Sequence, residues 1–311
     1  FIKEYNLNIL IDWIVEEDYK ELLELNSHIN KIHTVNLKKA KKKKSLLYFL
    51  KELKKVRRLQ SYDIVIDMQG LIKSAIISRL IPSKKTVGFD KFSTRESIAS
   101  LFYSDTFYFD YNKNVIIRNF ELSKFALGFS NLNDEINYKL PLFTSKLDYQ
   151  GNNISKINKN ILIIPGASSV LKCYPPDKFA EYTNLINANF ILSWGSKEER
   201  INAELIKTES PHVKICERMS LHELISLIKK VDLVIGSDTG PTHFAWALNI
   251  PSITLFGPTS GKRNAFSTNI NKIIESDTFV NPSKLSKVDS SIKTINIQEV
   301  VKISKSLLDT K

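Results

Sequence analysis

The sequence predicts an α/β protein of two domains, each a parallel sheet with helices on both faces. Three observations carry that prediction. Strand and helix patterns alternate in two blocks, at 8–128 and 161–257. Between them, residues 144–159 lose hydrophobic periodicity and collect Ser, Asn, Lys and Gly, the composition of a linker. The run LVIG at 233–236 is short, apolar and rich in branched side chains, as expected of a strand buried on both faces. The expected division is a first domain at 1–143, a linker at 144–159, a second domain at 160–296 and a C-terminal helix at 297–311.

In the first block, FIKEY at 1–5 reads as the tail of an amphipathic helix, and NILIDWIVEE (8–17) as a strand followed by a helix from about Glu17. Strand KIHTVN (31–36) precedes a basic helix at 44–59. Strand DIVIDMQ (63–69), helix LIKSAIISRLI (71–81) and strand KTVGFD (85–90) follow, then amphipathic helices at 95–103 and 115–128. In the second block, strand ILIIPG (161–166) leads to a helix at 175–187 that opens with two prolines, tolerated in a first turn. Strand NFILSW (189–194), helix 197–206, strand VKICE (213–217) and helix SLHELISLIKK (220–230) continue the alternation. Strand LVIGS, a helix from 242 and strand SITLFG (252–257) end the block, and NIQEVVKISKSLLDT is an amphipathic helix.

The 311 residues suit two domains, and 42% hydrophobic with 25% charged residues is ordinary for a globular protein. No apolar run reaches the length of a membrane span. Two cysteines, Cys173 and Cys216, make no disulfide framework, and the five histidines have no metal-binding spacing. A reduced, cytoplasmic setting follows. The net charge of +12 is concentrated between Lys38 and Arg58, where eleven basic residues face one acid, Glu52. Leu46, Leu47, Phe49, Leu50, Leu53 and Val56 interleave with them at helical spacing. A helix of that kind suits an anionic membrane surface or a solvated face; nucleic acid is not the expected partner, because neither recognition motif nor stacking platform accompanies the charge.

Residues 233–259, LVIGSDTGPTHFAWALNIPSITLFGPT, read as strand, turn, helix, strand, turn. The helix beginning near Thr242 would aim free backbone N–H groups at the carboxyl edge of the sheet, where nucleotides commonly bind. Asp238 and His243 flank that point with groups able to grip sugar hydroxyls or phosphate. The run SDTGPTH…ALNIPSITLFGPT resembles the donor-sugar motif of bacterial lipopolysaccharide heptosyltransferases, glycosyltransferase family 9, whose fold is GT-B: two Rossmann-like domains facing across a cleft.

The resemblance implies an ADP-heptose donor held by the second domain. It assigns the turn amides and Thr239 with Gly240 to the donor phosphates, and Asp238 and His243 to the donor pocket. PGASS with Lys172 follows strand 161–166, and the resemblance gives Ser168 and Lys172 to the diphosphate; Ala167 stands where the family often has Thr, which removes one hydroxyl. Glu198 and Glu199, just after Trp194 and Gly195, offer an acceptor pair for ribose, or else decorate a helix start, which the dipole favours anyway. Met219, ahead of a helix capped by Ser220, matches a family Met on adenine. On the acceptor side, DMQGLIKSA and the runs around 88–103 are similar to the branch that places the first heptose on the Kdo of lipid A. That implies acceptor contacts from Asp67, Gln69, Gly70, Lys73 and Arg95; Arg95 and Lys73 suit an acidic, phosphorylated acceptor.

The family's general base is an Asp in a loop that would precede Phe1, so no residue here is assigned the role. The strand before that loop would be central in the order 3-2-1-4-5, so the chain is expected to be a fragment in which strands 8–16 and 63–69 do not pair directly. The resemblance implies inverting transfer of heptose from ADP-heptose to Kdo-lipid A in inner-core synthesis, at the cytoplasmic face of the anionic inner membrane. No cofactor is obligatory, and Mg²⁺ on the diphosphate stays open. A GT-B enzyme with another nucleotide sugar, or a base-lacking sugar-nucleotide binder, are the alternatives.

Overall fold

A computed structural model describes residues 1–129, 139–144, 147–278 and 289–309, apart from the side chain of Lys41. Residues 145 and 146 of the expected linker and the last two of the expected C-terminal helix lie outside the described residues. The chain divides into two compact units, Phe1–Ile136 and Asn137–Lys311. The division falls ahead of residue 143 because Lys139 and Leu142 already bond to the second unit: the Lys139 amine donates to the Trp246 carbonyl (2.5 Å) and the Leu142 amide to Ala247 (2.8 Å). The described part of 147–159 is likewise fastened to that unit, with Ser226 donating to the Leu147 carbonyl and Lys230 to that of Tyr149.

The first unit opens with α1 (Ile2–Tyr5), β1 (Asp12–Glu16), α2 (Lys20–Glu24) and β2 (Lys31–Val35). The basic segment is two helices, α3 (Leu37–Lys42) and α4 (Leu46–Arg57), rather than one. The break is Lys44, whose φ of 48° is left-handed, followed by Ser45, whose hydroxyl accepts the Tyr48 amide and starts α4. Then come β3 (Tyr62–Asp67), α5 (Ile72–Leu80), β4 (Ser83–Phe89), β5 (Asp105–Phe107) and α6 (Val115–Leu127). The helix expected at 95–103 is a 3-10 turn at Ser97–Phe102. Strands β1 and β2 form one parallel pair, and β3-β4-β5 a separate parallel sheet. No ladder joins β1 to β3 among the described residues. Side chains connect them instead: the Tyr62 hydroxyl donates to Asp12 Oδ2 (2.8 Å) and lies 3.0 Å from His33 Nε2. Burial and the Asp12 carboxylate push the Tyr62 phenol up to about 12.

The second unit contains β6 (Asn160–Ile164), α7 (Pro176–Leu185), β7 (Asn189–Leu192), α8 (Lys197–Glu209), β8 (Lys214–Ile215) and α9 (Leu221–Ile228). It continues with β9 (Leu233–Ser237), α10 (Gly240–Ala247), β10 (Ser252–Phe256), α11 (Gly261–Asn264), β11 (Asn271–Glu275) and α12 (Ile297–Asp309). All pairings are parallel, in the order β8-β7-β6-β9-β10-β11. Counted within the unit this is 3-2-1-4-5-6, the Rossmann order, whose direction reverses between β6 and β9. Every residue of β6, β9 and β10 is buried, which explains their unbroken apolar runs. The core sits under α7 and α12, where Phe179, Tyr182, Val300 and Leu307 cover Ile161, Leu233 and Ile253.

Candidate donor and acceptor sites

The reversal of strand order leaves a crevice at the carboxyl ends of β6 and β9, because the following chains leave in opposite directions. Two loops meet there. After β6, Ser169 accepts the Leu171 amide and starts a 3-10 turn, Val170–Lys172, that turns Lys172 back over the sheet. The Tyr174 amide donates to the Ser237 hydroxyl (3.0 Å), tying this loop to the end of β9. The Lys172 amine then sits 2.7 Å from Asp238 Oδ2. His243 Nε2 is 3.1 Å from the other oxygen, and the Thr259 hydroxyl donates to Oδ2 at 2.8 Å.

Asp238 is buried. Burial pushes its carboxyl up, but bonds from His243 and Lys172, the Lys172 charge and the Thr259 hydroxyl outweigh that and hold it well below the usual carboxylate range. The site is therefore a buried anion held by a lysine, a histidine and a hydroxyl. Next to it, α10 begins at Gly240, two residues before the expected start. Pro241 has no N–H, and the amides of Thr242 and His243 turn inward to the Thr239 carbonyl (3.1 and 3.3 Å). The donors left for an anion are the amides of Thr239 and Gly240, ahead of the helix start near Thr242 that the sequence suggests. Gly240 is exposed with open space around it, so the turn is accessible.

The remaining donor-side residues line the same sheet edge. At the end of β7, Glu199 accepts the amides of Gly195 (2.6 Å) and Ser196 (3.1 Å) through Oε2, while Ser196 accepts the Glu199 amide. This reciprocal cap fixes Glu199 against Gly166 at the end of β6, whereas Glu198 is exposed in the first turn of α8. Half-buried Met219 follows β8, and Ser220 beside it caps α9. Ser168 is exposed in the loop after β6. Met219, Glu199, Lys172, Asp238 and Thr259 thus follow β8, β7, β6, β9 and β10, five neighbouring strands that span roughly 19 Å at ordinary spacing. Thr259 is the residue that sequence reasoning missed. The GPT turn was legible, but its meeting with Asp238 depends on β9 and β10 being neighbours.

In the first unit, Asp67 ends β3 and is buried. Its Oδ1 accepts the amides of Gln69 (2.9 Å) and Gly70 (3.4 Å), and its Oδ2 accepts the hydroxyls of Ser74 (2.8 Å) and Tyr103 (2.7 Å). Four donors fill the lone-pair positions of one carboxylate. Asp67 therefore braces the loop and has no free oxygen for an acceptor, a correction to its expected role. Burial and Asp67 together push the Tyr103 phenol far up. Gly70 is buried with φ 62°, and Glu96 accepts the Ile72 amide (2.7 Å) at the start of α5. Gln69, Lys73 and Arg95 are exposed around this braced loop, at the carboxyl ends of β3 and β4.

Among the described residues no three of His, Cys, Asp and Glu gather as a metal cage, and no helix is long and apolar enough to cross a membrane. In the second unit a cation, a bound carboxylate and open amides meet at the topological switch point of a Rossmann-type sheet, the place where sheets of this class commonly bind nucleotides. The family model for glycosyltransferase family 9 (heptosyltransferase) matches residues 50–293. Lipopolysaccharide heptosyltransferase 1 of Campylobacter coli is 38% identical over 322 residues, covering 99% of this chain and 92% of that one. The enzyme of the same name from Escherichia coli K12 is 27% identical over 263 residues, 81% of this chain and 79% of that one. Among solved structures, E. coli heptosyltransferase WaaC with ADP-2-deoxy-2-fluoro heptose superposes with a TM-score of 0.78 at 22% identity, over 98% of this chain and 92% of that one. The chain belongs to glycosyltransferase family 9, and its fold is that of the GT-B heptosyltransferases.

Proposed function

We propose that the protein transfers heptose from ADP-heptose to the Kdo of lipid A in lipopolysaccharide inner-core synthesis. The carrying observation is the Lys172–Asp238–His243–Thr259 constellation at the switch point of the second unit, in a chain of a heptosyltransferase family. Two relatives in that family bear the name lipopolysaccharide heptosyltransferase 1. Along the sheet edge the order of residues suits the order of groups in the donor. Met219 meets the base, Glu199 the ribose, Lys172 with the Thr239 and Gly240 amides the diphosphate, and Asp238 with His243 the sugar.

As the bond between the anomeric carbon and the diphosphate breaks, negative charge grows on the leaving ADP. Lys172 and the two amides are aimed where that charge develops, and such donors act most strongly in a water-poor site. Asp238 keeps Lys172 oriented before the donor arrives. The acceptor hydroxyl attacks the anomeric carbon as its proton passes to a base. Gln69, Lys73 and Arg95 bind the acidic acceptor, Arg95 through a forked pair of bonds to the carboxylate. The reading involves no resident cofactor; Mg²⁺ bound to the diphosphate would enter with the donor. The protein works peripherally at the cytoplasmic face of the inner membrane.

The test is a transfer assay with Kdo-lipid A and ADP-heptose, with UDP- and GDP-sugars in parallel, read by mass spectrometry of the lipid. A mass increase of one heptose with the ADP donor alone is expected. Transfer from a UDP- or GDP-sugar in preference to ADP-heptose would refute the reading.

A further inference from the structure

The first half of α4 carries an apolar surface that the fold does not cover. Leu46, Leu47 and Leu50 are 70%, 81% and 50% exposed. Their i, i+3 and i, i+4 spacings put them on one face. The docked stripe runs along the flank of this face: Val56 is 1% exposed, and Leu53, which adjoins Leu46 and Leu50, packs with it in the core beneath α5. Single exposed leucines are ordinary, but three on one helix face beside no partner are a patch.

The charge around the patch has one sign. Lys51 and Lys54 stand one turn beyond Leu47 and Leu50 on the same face, and Lys42, Lys43 and Lys44 precede it; all five are exposed. Ten of the eleven basic residues between Lys38 and Arg58 have described side chains, and all ten are exposed. Only Lys38 among them is held by an acid, Asp18 at 3.0 Å. Apolar tips surrounded by lysines match a bilayer whose headgroups are anionic: the leucines enter the acyl boundary while the amines stay with the phosphates.

Topology supplies the orientation. In a parallel unit each helix starts at the carboxyl edge of the sheet, so the start of α4, the loop after β3 and the loop after β4 share one rim. On the last of these loops Phe92 is 70% exposed, with the Lys91 amine 4.9 Å from its ring. The same rim carries Gln69, Lys73 and Arg95.

We infer that the rim formed by the start of α4 and the loop after β4 docks on an anionic phospholipid bilayer, inserting Leu46, Leu47 and Leu50. This deepens the proposed acceptor reading, since a lipid-borne acceptor then reaches Lys73 and Arg95 without leaving the membrane. The test is co-sedimentation of the full chain with vesicles that contain neither donor nor acceptor, made of phosphatidylcholine alone or with phosphatidylglycerol. Binding is expected only with phosphatidylglycerol, weakening by roughly fivefold for each lysine neutralised in Lys51→Gln and Lys54→Gln. Replacing the three leucines by serine is expected to weaken it by roughly 100-fold or more. All the substituted side chains are exposed, and an unchanged circular dichroism spectrum and unfolding transition report an intact fold. Equal binding to both vesicle types, serine variants that sediment like the wild type, or tighter binding to duplex DNA than to the anionic vesicles would each overturn the inference. Loss of heptose transfer with intact vesicle binding would count against the acceptor reading alone.

Discussion

Asp238 is charged only because three side chains hold it so. Its contribution to stability follows from the sign of its shift. The folded carboxyl titrates below the ordinary value, so the stabilisation is complete above about pH 4 and is lost as pH falls through the folded value. In a Trp13→Phe background, where Trp194 and Trp246 alone report, the urea midpoint should fall between pH 5 and pH 3. Asp238→Asn should flatten that fall; an equally steep fall in the variant would place the acid sensitivity elsewhere. Thr259 adds a second prediction. Thr259→Val should lower kcat more than it raises KM, by roughly tenfold to 100-fold for a lost bond to a charged group, with an upward shift of the acid limb. Thr259→Ser should restore both, and failure of serine to rescue would make the role one of packing. The sequence marked Asp238 and His243 because their motif is local, and Lys172 because its loop resembles the family's. It was silent on Thr259, which reaches Asp238 across 21 positions through a strand pairing. It also suggested Asp67 as a ligand, since no sequence shows that four donors converge on one carboxylate.

Elements were legible where periodicity was long and less so where it was short. Strands β6, β9 and β10 declared themselves as apolar runs buried on both faces. Strand β11, NKIIE at the sheet edge, has five residues and a lysine, and was not recognised. The helix read over 44–59 is α4, Leu46–Arg57; α3 before it was not told apart, because lysine is a good helix former and propensity alone does not mark the break at Lys44. Gly88 in β4 shows how an element serves a site. A Cβ there would stand 2.3 Å from the Tyr103 ring, and that ring is pinned by its bond to Asp67. Gly88→Ala should cost about 1–3 kcal/mol, read as a lower melting temperature by calorimetry. Tyr103→Phe keeps the ring but loses its bond to the buried Asp67 carboxylate, about 1.5–3 kcal/mol; a Gly88→Ala variant that melts like the wild type would mean that the clash is relieved by movement of β4.

At the scale of the molecule, the residues proposed for the donor lie in the second unit and those proposed for the acceptor in the first. The sequence made the two units and their α/β character legible. Residues 144–159 look like a linker by composition, yet within them the carbonyls of Leu147 and Tyr149 accept bonds from the second unit. Such bonds leave no mark on composition.

The account rests on Lys172 and the Thr239–Gly240 amides receiving the diphosphate of ADP. Thermal shift of residues 1–311 with ADP, UDP and GDP, for the wild type and Lys172→Met, tests it most directly. ADP should raise the melting temperature of the wild type more than UDP or GDP does, by an amount equivalent to about 2.7 kcal/mol at 100 times Kd, and Lys172→Met should lose most of that rise. A variant stabilised by ADP as well as the wild type, or a wild type that prefers UDP, would contradict it.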